Sequence, residues 1–254
     1  MYTKVARLAL VPLVLALALF AYMNHGLRSI ECKDCSTAPV RPVSVPHAPV
    51  DTATTQKAFE DIYDKGTWAR KQDGTGTSGL GSTERSTVLY RTFLQQFLKD
   101  HDIHSVVDAG CGDWEFSQTI DWTGIDYKGY DIVPSVIEAD IKKFGKPNIQ
   151  FFAADIVTTE LPPADLLISK HVLQHLPNSS VEKFLLQLPK YKHILLTNGV
   201  DRRTLTSDNM DIKPGQYRPL DVTQPPFNVD GIKVLTYEGD PKLMHQVIHI
   251  VPPR

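Results

Sequence analysis

Cysteine is scarce, with 3 among 254 residues. That excludes a small domain stapled by disulfides, so the fold must rest on an apolar core. Basic runs are missing as well. Lys and Arg number 27 against 29 Asp and Glu, a net charge of −2, with no dense basic cluster. A chain that grips a phosphate backbone usually shows a basic face, so no nucleic acid partner is expected. No internal repeat is visible, and the length leaves hardly enough chain for two full domains. What is present is ordinary globular composition, 42% hydrophobic and 22% charged.

One long apolar run does occur, at the start. Lys4 and Arg7 precede Leu8 to Met23, broken by Pro12. These roughly 16 residues reach about 24 Å as a helix, short for a plasma membrane but adequate for a thinner one. Residues 1–28 therefore read as a membrane anchor. A cleaved signal peptide competes, because Ala16-Leu17-Ala18 offers small residues for cleavage. Arg28 and Lys33 balance Lys4 and Arg7, so charge does not choose an orientation. Residues 29–50 carry Pro39, Pro42, Pro46 and Pro49 with little apolar bulk, an extended stalk. Cys32 and Cys35 suit a stalk disulfide better than a metal site, for which no second Cys pair exists.

Residues 51–254 read as one folded domain. Val88, Leu89, Phe93, Leu94, Phe97 and Leu98 recur at helical spacing and predict a helix over 83–99. Short β-rich runs follow at 105–108, 127–132, 149–154, 165–169 and 193–197, separated by segments of helical length such as 134–144 and 179–188. Strands alternating with helices predict a mostly parallel sheet covered on both faces. The last runs, 233–237 and 245–251, have no helix between them and predict an antiparallel hairpin at the sheet's end.

The sharpest motif is Asp108-Ala109-Gly110-Cys111-Gly112-Asp113, an apolar strand running into a Gly-x-Gly turn. A helix carrying Trp114, Phe116 and Ile120 is expected next, with glycine N–H groups and the helix N-terminus facing a ligand. A nicotinamide dinucleotide site would want a third glycine where Glu115 stands. Asp131 then ends the second strand, placed to take two ribose hydroxyls, with Ile132 beside it. Asp155-Ile156 ends the third, where a carboxylate can accept from an adenine amine. Asp165 to Ser169 form the fourth, followed by His171 and His175. All are expected at the carboxyl ends of parallel strands, where such sheets bind ligands.

This ordered set resembles the class I S-adenosylmethionine-dependent methyltransferases, over roughly Val106 to Asn198. The resemblance implies an α/β, Rossmann-like methyltransferase fold with a mostly parallel seven-stranded sheet and a C-terminal antiparallel hairpin. It implies S-adenosyl-L-methionine as cofactor, bound by Asp108, Gly110, Gly112, Asp131, Ile132, Asp155, Ile156 and Ser169. Tyr63 to Trp68 with Gly79 and Gly81, Asn209 to Ile212, Tyr217 to Asp221 and Pro225 to Asn228 resemble flanking pieces of a narrower branch. Its membrane-anchored members look like glycan O-methyltransferases of the secretory pathway. That implies a glycan or other hydroxyl acceptor and a single-pass type II protein facing the Golgi or ER lumen, or a secreted one if the signal is cleaved.

For a hydroxyl acceptor a proton must leave. His171 and His175 are candidate bases, four apart and so on one helical face, though either can simply pack or cap. Trp68, Tyr217, Arg218 and Phe227 are candidate acceptor contacts, because the polar segment 201–228 is long enough to be functional; a structural cover over the sheet is the alternative. No metal is expected, since Asp208, Asn209 and Asp211 read as a polar loop. Asn178-Ser179-Ser180 is either a glycosylation acceptor or a helix start. The competing functions are a methyltransferase for a small molecule, lipid or protein side chain on the cytosolic face, and a non-catalytic module that binds the same cofactor.

Overall fold

The computed structural model describes residues 51–71, 77–239 and 243–253. The expected anchor, the stalk, Cys32 and Cys35 lie outside the described residues. Among the described residues no helix is long and apolar enough to cross a membrane.

Seven strands form one sheet: β1 Ser105–Ala109, β2 Asp126–Asp131, β3 Ile149–Ala153, β4 Leu166–Lys170, β5 His193–Val200, β6 Ile232–Glu238 and β7 Met244–Ile250. Their spatial order is β3-β2-β1-β4-β5-β7-β6. The first five are parallel, whereas β7 runs antiparallel between β5 and β6. Chain order reverses between β1 and β4, which opens a crevice at their carboxyl ends. The α-helices are α1 Thr52–Lys65, α2 Val88–Asp100, α3 Pro134–Phe144 and α4 Asn178–Leu185.

Period-2 side-chain alternation sorts each strand between two cores. Val106, Leu166, Ile168 and Leu195 face one layer with Tyr90, Leu94 and Phe97 of α2. Val107, Leu167, Ile194 and Leu196 face the other with Phe184 of α4 and Phe59 of α1. Both faces being covered explains why β1, β4 and β5 read as near-continuous apolar runs. Asp51 caps α1 by accepting from the backbone N–H groups of Ala53 and Thr54, and Gly66 ends it in the left-handed region at φ 60°.

Several expectations need correction. The helix after the Gly-x-Gly turn does not form. Gly112 and Trp114 take φ of 57° and 52°, which ends any right-handed run, and only the short 3₁₀ turn Ser117–Thr119 follows. Trp114, Phe116, Ile120 and Trp122 are all buried there, an i, i+2 spacing that a helix could not send to one core. Helix α2 starts at Val88 rather than Thr83, because the Ser86 and Thr87 hydroxyls bond back to the Thr83 carbonyl. Helix α4 stops at Leu185, and Pro189 sits in a separate 3₁₀ turn.

Asp165 precedes β4, at the end of the sheet opposite the crevice. Its carboxylate accepts from the backbone N–H groups of His104 and Ser105 and from the Ser105 hydroxyl, all at 3.0 Å, and pairs with Lys192 at 2.6 Å. Those donors outweigh partial burial and hold its pKa down to about 2. The stabilisation is therefore present above the ordinary carboxyl pKa and lost as pH falls towards about 2. Asp165→Ala should cost roughly 1–3 kcal/mol at pH 7, because the N–H groups that start β1 lose their acceptor. Urea unfolding of both proteins should show that difference shrinking as acid is added; a difference independent of pH would reject the assignment.

Candidate active site

A cavity of about 820 Å³, open mouth included, lies at the carboxyl ends of β1 to β4. Asp108, Gly110, Gly112, Asp131, Ile132, Asp155, Ile156 and His171 line it, together with Trp68. Ser169, Tyr217, Arg218, Phe227 and His175 do not.

The Gly-x-Gly turn works by shape. Its N–H groups are all committed: Gly110 and Cys111 donate to the Tyr130 carbonyl at 2.7 and 3.0 Å, Gly112 to Asp131 at 3.1 Å and Asp113 to the Ser78 hydroxyl at 2.8 Å. The expectation that they meet a ligand is thus corrected. What the glycines supply is room. Gly110 has φ 90°, and a Cβ there would lie 2.1 Å from Val172. A Cβ on Gly112, at φ 57°, would lie 2.2 Å from the Ser78 hydroxyl. Ser78 and Tyr63, whose hydroxyls lie 2.7 Å apart, belong to the segment that covers the turn from the α1 side.

The carboxylates differ in environment. Asp131 accepts from the N–H groups of Gly112 and Val133, each at 3.1 Å, and lines the cavity. Burial outweighs these donors and raises its pKa to about 6. Asp108 takes a 2.6 Å hydrogen bond from the Tyr127 hydroxyl, yet full burial pushes it up to about 7. Asp155 accepts from the Val157 N–H at 2.9 Å and from the Thr52 hydroxyl at 2.6 Å, so it ties α1 across the cavity. Ile132 and Ile156 give that end apolar walls suited to a flat base.

The histidines do not share a helical face. His171 leaves β4 at φ 59°, and His175 closes the 3₁₀ turn Leu173–His175. His175 lies behind Trp68, ring centroids 4.9 Å apart, with Nδ1 3.0 Å from the Gln216 carbonyl and Nε2 3.3 Å from Gln174. Burial lowers its pKa to about 4. It locks the lid residue Trp68 to the segment 201–231. His171 Nδ1 lies 3.2 Å from Lys170 Nζ, and its ring packs on His245 at 4.3 Å. Burial, then Lys170, push its pKa well below the usual histidine value.

Ser169 donates to the Ala109 carbonyl at 2.8 Å and so joins β4 to β1 instead of facing a ligand. Arg218 donates to the Leu173 carbonyl at 3.3 Å and the Asn178 side chain at 2.7 Å. Asn178 also donates to the Asn209 carbonyl at 2.9 Å, so its amide is held within the fold. Asn209, 2% exposed, bonds Asp221 in both directions. The segment 201–228 is therefore a laced cover, and Phe227 packs on the core beneath it. Asp211 accepts from the Asn178 N–H, and among the described residues no cluster of three suitable groups could hold a metal.

Three of the cavity residues that the sequence reading did not single out are Lys170, Thr55 and Phe59. Lys170 ends β4 at 7% exposure, and Thr55 and Phe59 of α1 form part of the roof. A lysine in an otherwise apolar strand was a legible signal; the helix that folds over the site was not.

Residues 107–189 match the family model described as a methyltransferase domain. No curated protein matches the sequence. Among solved structures, the N-methyltransferase NodS from Bradyrhizobium japonicum, in complex with S-adenosylhomocysteine, superposes with TM-score 0.58 at 13% identity, over 79% of this chain and 100% of that one. The 1,6-didemethyltoxoflavin N1-methyltransferase of Burkholderia thailandensis, with S-adenosylhomocysteine bound, gives 0.57 at 14% identity over 82% and 93%. Magnesium protoporphyrin IX methyltransferase from Synechocystis, with bound S-adenosylmethionine, gives 0.55 at 14% identity over 81% and 99%. At such identities the likeness is one of fold.

The cavity fits an adenosyl sulfonium: a closely packed glycine turn, the Asp131 carboxylate on its wall and two isoleucine walls. Asp131→Asn should stay folded by circular dichroism but bind S-adenosylhomocysteine ~10–100-fold more weakly by calorimetry, the worth of hydrogen bonds to a charged acceptor. Hydroxyls donating to Asp131 favour its ionised form, so binding expels a proton. Wild-type affinity should therefore rise with pH up to about 6 and level off above it. Equal affinity in the variant would remove Asp131 from the site.

Proposed function

We propose that this S-adenosylmethionine-dependent methyltransferase methylates a hydroxyl group, that of a sugar in a glycan of the secretory pathway. Asp131 would hold the ribose and Asp155 the adenine amine, with the amino-acid end lying along the turn at Gly110 and Gly112. The bound cofactor supplies an electrophilic methyl group on a sulfonium, whose departure leaves a neutral thioether. The acceptor would enter beside the end of β4, where Lys170, His171, Ser82 and Trp68 line the cavity.

The observation that carries the hydroxyl reading is the chemistry of that wall. A hydroxyl must lose a proton to attack, and this wall holds basic nitrogens kept from full protonation by burial. The half-buried Trp68 indole offers an apolar face of the kind a sugar ring stacks on. The apolar run 8–23 and the proline-rich spacer support a domain carried on a stalk, and its lumenal placement follows from the family resemblance. The two N-methyltransferases of like fold make an amine acceptor the reading to be tested against.

The full-length chain, incubated with methyl-labelled S-adenosylmethionine, should label free or conjugated sugars as acid- and base-stable ethers. The panel should include amines, lipids and small phenols; label in amines alone, or in none, rejects the hydroxyl reading. In sealed membrane vesicles the domain should resist added protease until detergent is present. Digestion without detergent would place it on the cytosolic face.

A further inference from the structure

We infer that Lys170, the last residue of β4, is the group that takes the proton from the acceptor hydroxyl. This rests on the hydroxyl reading above and replaces both histidines in that role. His175 is off the cavity wall with both ring nitrogens engaged. His171 turns Nδ1 towards Lys170, and its Nε2 is buried with no partner among the described residues.

Lys170 has two polar neighbours and an apolar surround. Its Nζ lies 2.7 Å from the Gly81 carbonyl and 3.2 Å from His171 Nδ1. In the tautomer with the His171 proton on Nε2, both contacts would be acceptors and would match the two N–H bonds of an uncharged amine, leaving its lone pair over at the cavity wall. An ammonium would bring a third N–H, and no third acceptor lies within hydrogen-bond distance among the described residues. The amine sits between the Tyr90 and Phe116 rings, 5.6 and 5.0 Å from their centroids.

The titratable groups around it are Asp108 on β1, Tyr90 on α2, His171 beside it, and His245 of β7 behind His171, with Tyr237 of β6 beyond. Asp108, the Gly81 carbonyl and the Tyr90 and Phe116 ring faces favour the cation, but Asp108 makes no ion pair with it; burial prevails and brings the amine down to about 7. A base poised there can both take a proton and return it to solvent.

The proposed step balances. An oxygen lone pair of the acceptor forms the new C–O bond, the electrons of the broken S–C bond stay on sulfur, and the hydroxyl proton passes to Lys170 Nζ. The resulting ammonium loses that proton to solvent after the product leaves. His171 is a positioning residue, holding one N–H so that the lone pair faces the acceptor.

The test uses the full chain, with Lys170→Met and Lys170→Arg. Both variants should bind S-adenosylhomocysteine as wild type does by calorimetry, while kcat on the best sugar of the panel falls about 10²–10⁴-fold. Wild-type kcat/KM should rise with pH through about 7, and the variants should lose that limb. Acetic anhydride labelling, read by mass spectrometry on the Lys170 peptide, should show a midpoint near that value, against about 10.4 for surface lysines.

Wild-type activity in Lys170→Arg would mean that charge alone is needed and would overturn the proposal. A labelling midpoint near that of surface lysines would overturn it without reference to any acceptor. If the midpoint is low but only amines are methylated, at equal rates in wild type and Lys170→Arg, the hydroxyl reading and the proton-taking role fall together. Loss of cofactor binding in Lys170→Met that Lys170→Arg restores would also overturn it, by making Lys170 a support for the cofactor pocket.

Discussion

Two ionisable side chains buried on adjacent strands set the terms for this molecule. Asp108 on β1 and Lys170 on β4 flank the point where strand order reverses, at 3% and 7% exposure. Burying either as an unpaired charge is costly, and they form no ion pair with each other. The fold instead gives each a local partner, the Tyr127 hydroxyl for Asp108 and the Gly81 carbonyl for Lys170. Burial then moves both towards neutral pH, the acid upward and the base downward. Groups so perturbed in a cleft mark a working site more often than a structural one.

The turn between β1 and the following segment meets a different constraint. Its backbone donors are saturated before any ligand arrives, by Tyr130, Asp131 and Ser78. Its glycines are needed because Val172 and Ser78 press against the turn where Cβ atoms would stand. The cradle is thus rigid, and its recognition of a ligand falls to the Asp131 carboxylate and to apolar walls. Ser78 also ties the Tyr63 end of α1 to the turn.

Much of this was legible in the sequence. Apolar runs between segments of helical length gave the parallel strands, and the absence of a helix before the last run gave the antiparallel end, because period and length carry that information locally. Asp131 was legible because it is the last residue of β2, and Asp108 and Asp155 because each lies within two residues of the end of its strand, where the strand itself fixes the position. Asp165 was misplaced by the same reasoning: a residue just before a strand points to the opposite end of the sheet, and composition does not distinguish the two. Arg218 resisted for another reason. Its partners, the Leu173 carbonyl and Asn178, are remote in sequence, so pattern alone could not tell a laced cover from an acceptor grip. Lys170 was passed over in favour of more familiar bases, although one lysine in a strand otherwise of Leu, Ile and Ser needs an explanation.

The cavity's two ends are held by different parts of the chain, and this bears on how one fold serves many acceptors. The end proposed to take adenosine is framed by β2, β3 and the start of α1, where Thr52 shares the Asp155 carboxylate. The opposite end is framed by Lys170, His171 and Trp68, and Trp68 is braced through His175 by the Gln216 carbonyl. The 201–231 cover therefore touches the acceptor end only at second hand. Changes in that cover would alter where Trp68 sits while leaving the carboxylates untouched, so acceptor choice can vary without disturbing the cofactor. That separation accords with a fold shared at low identity by enzymes whose acceptors have little in common.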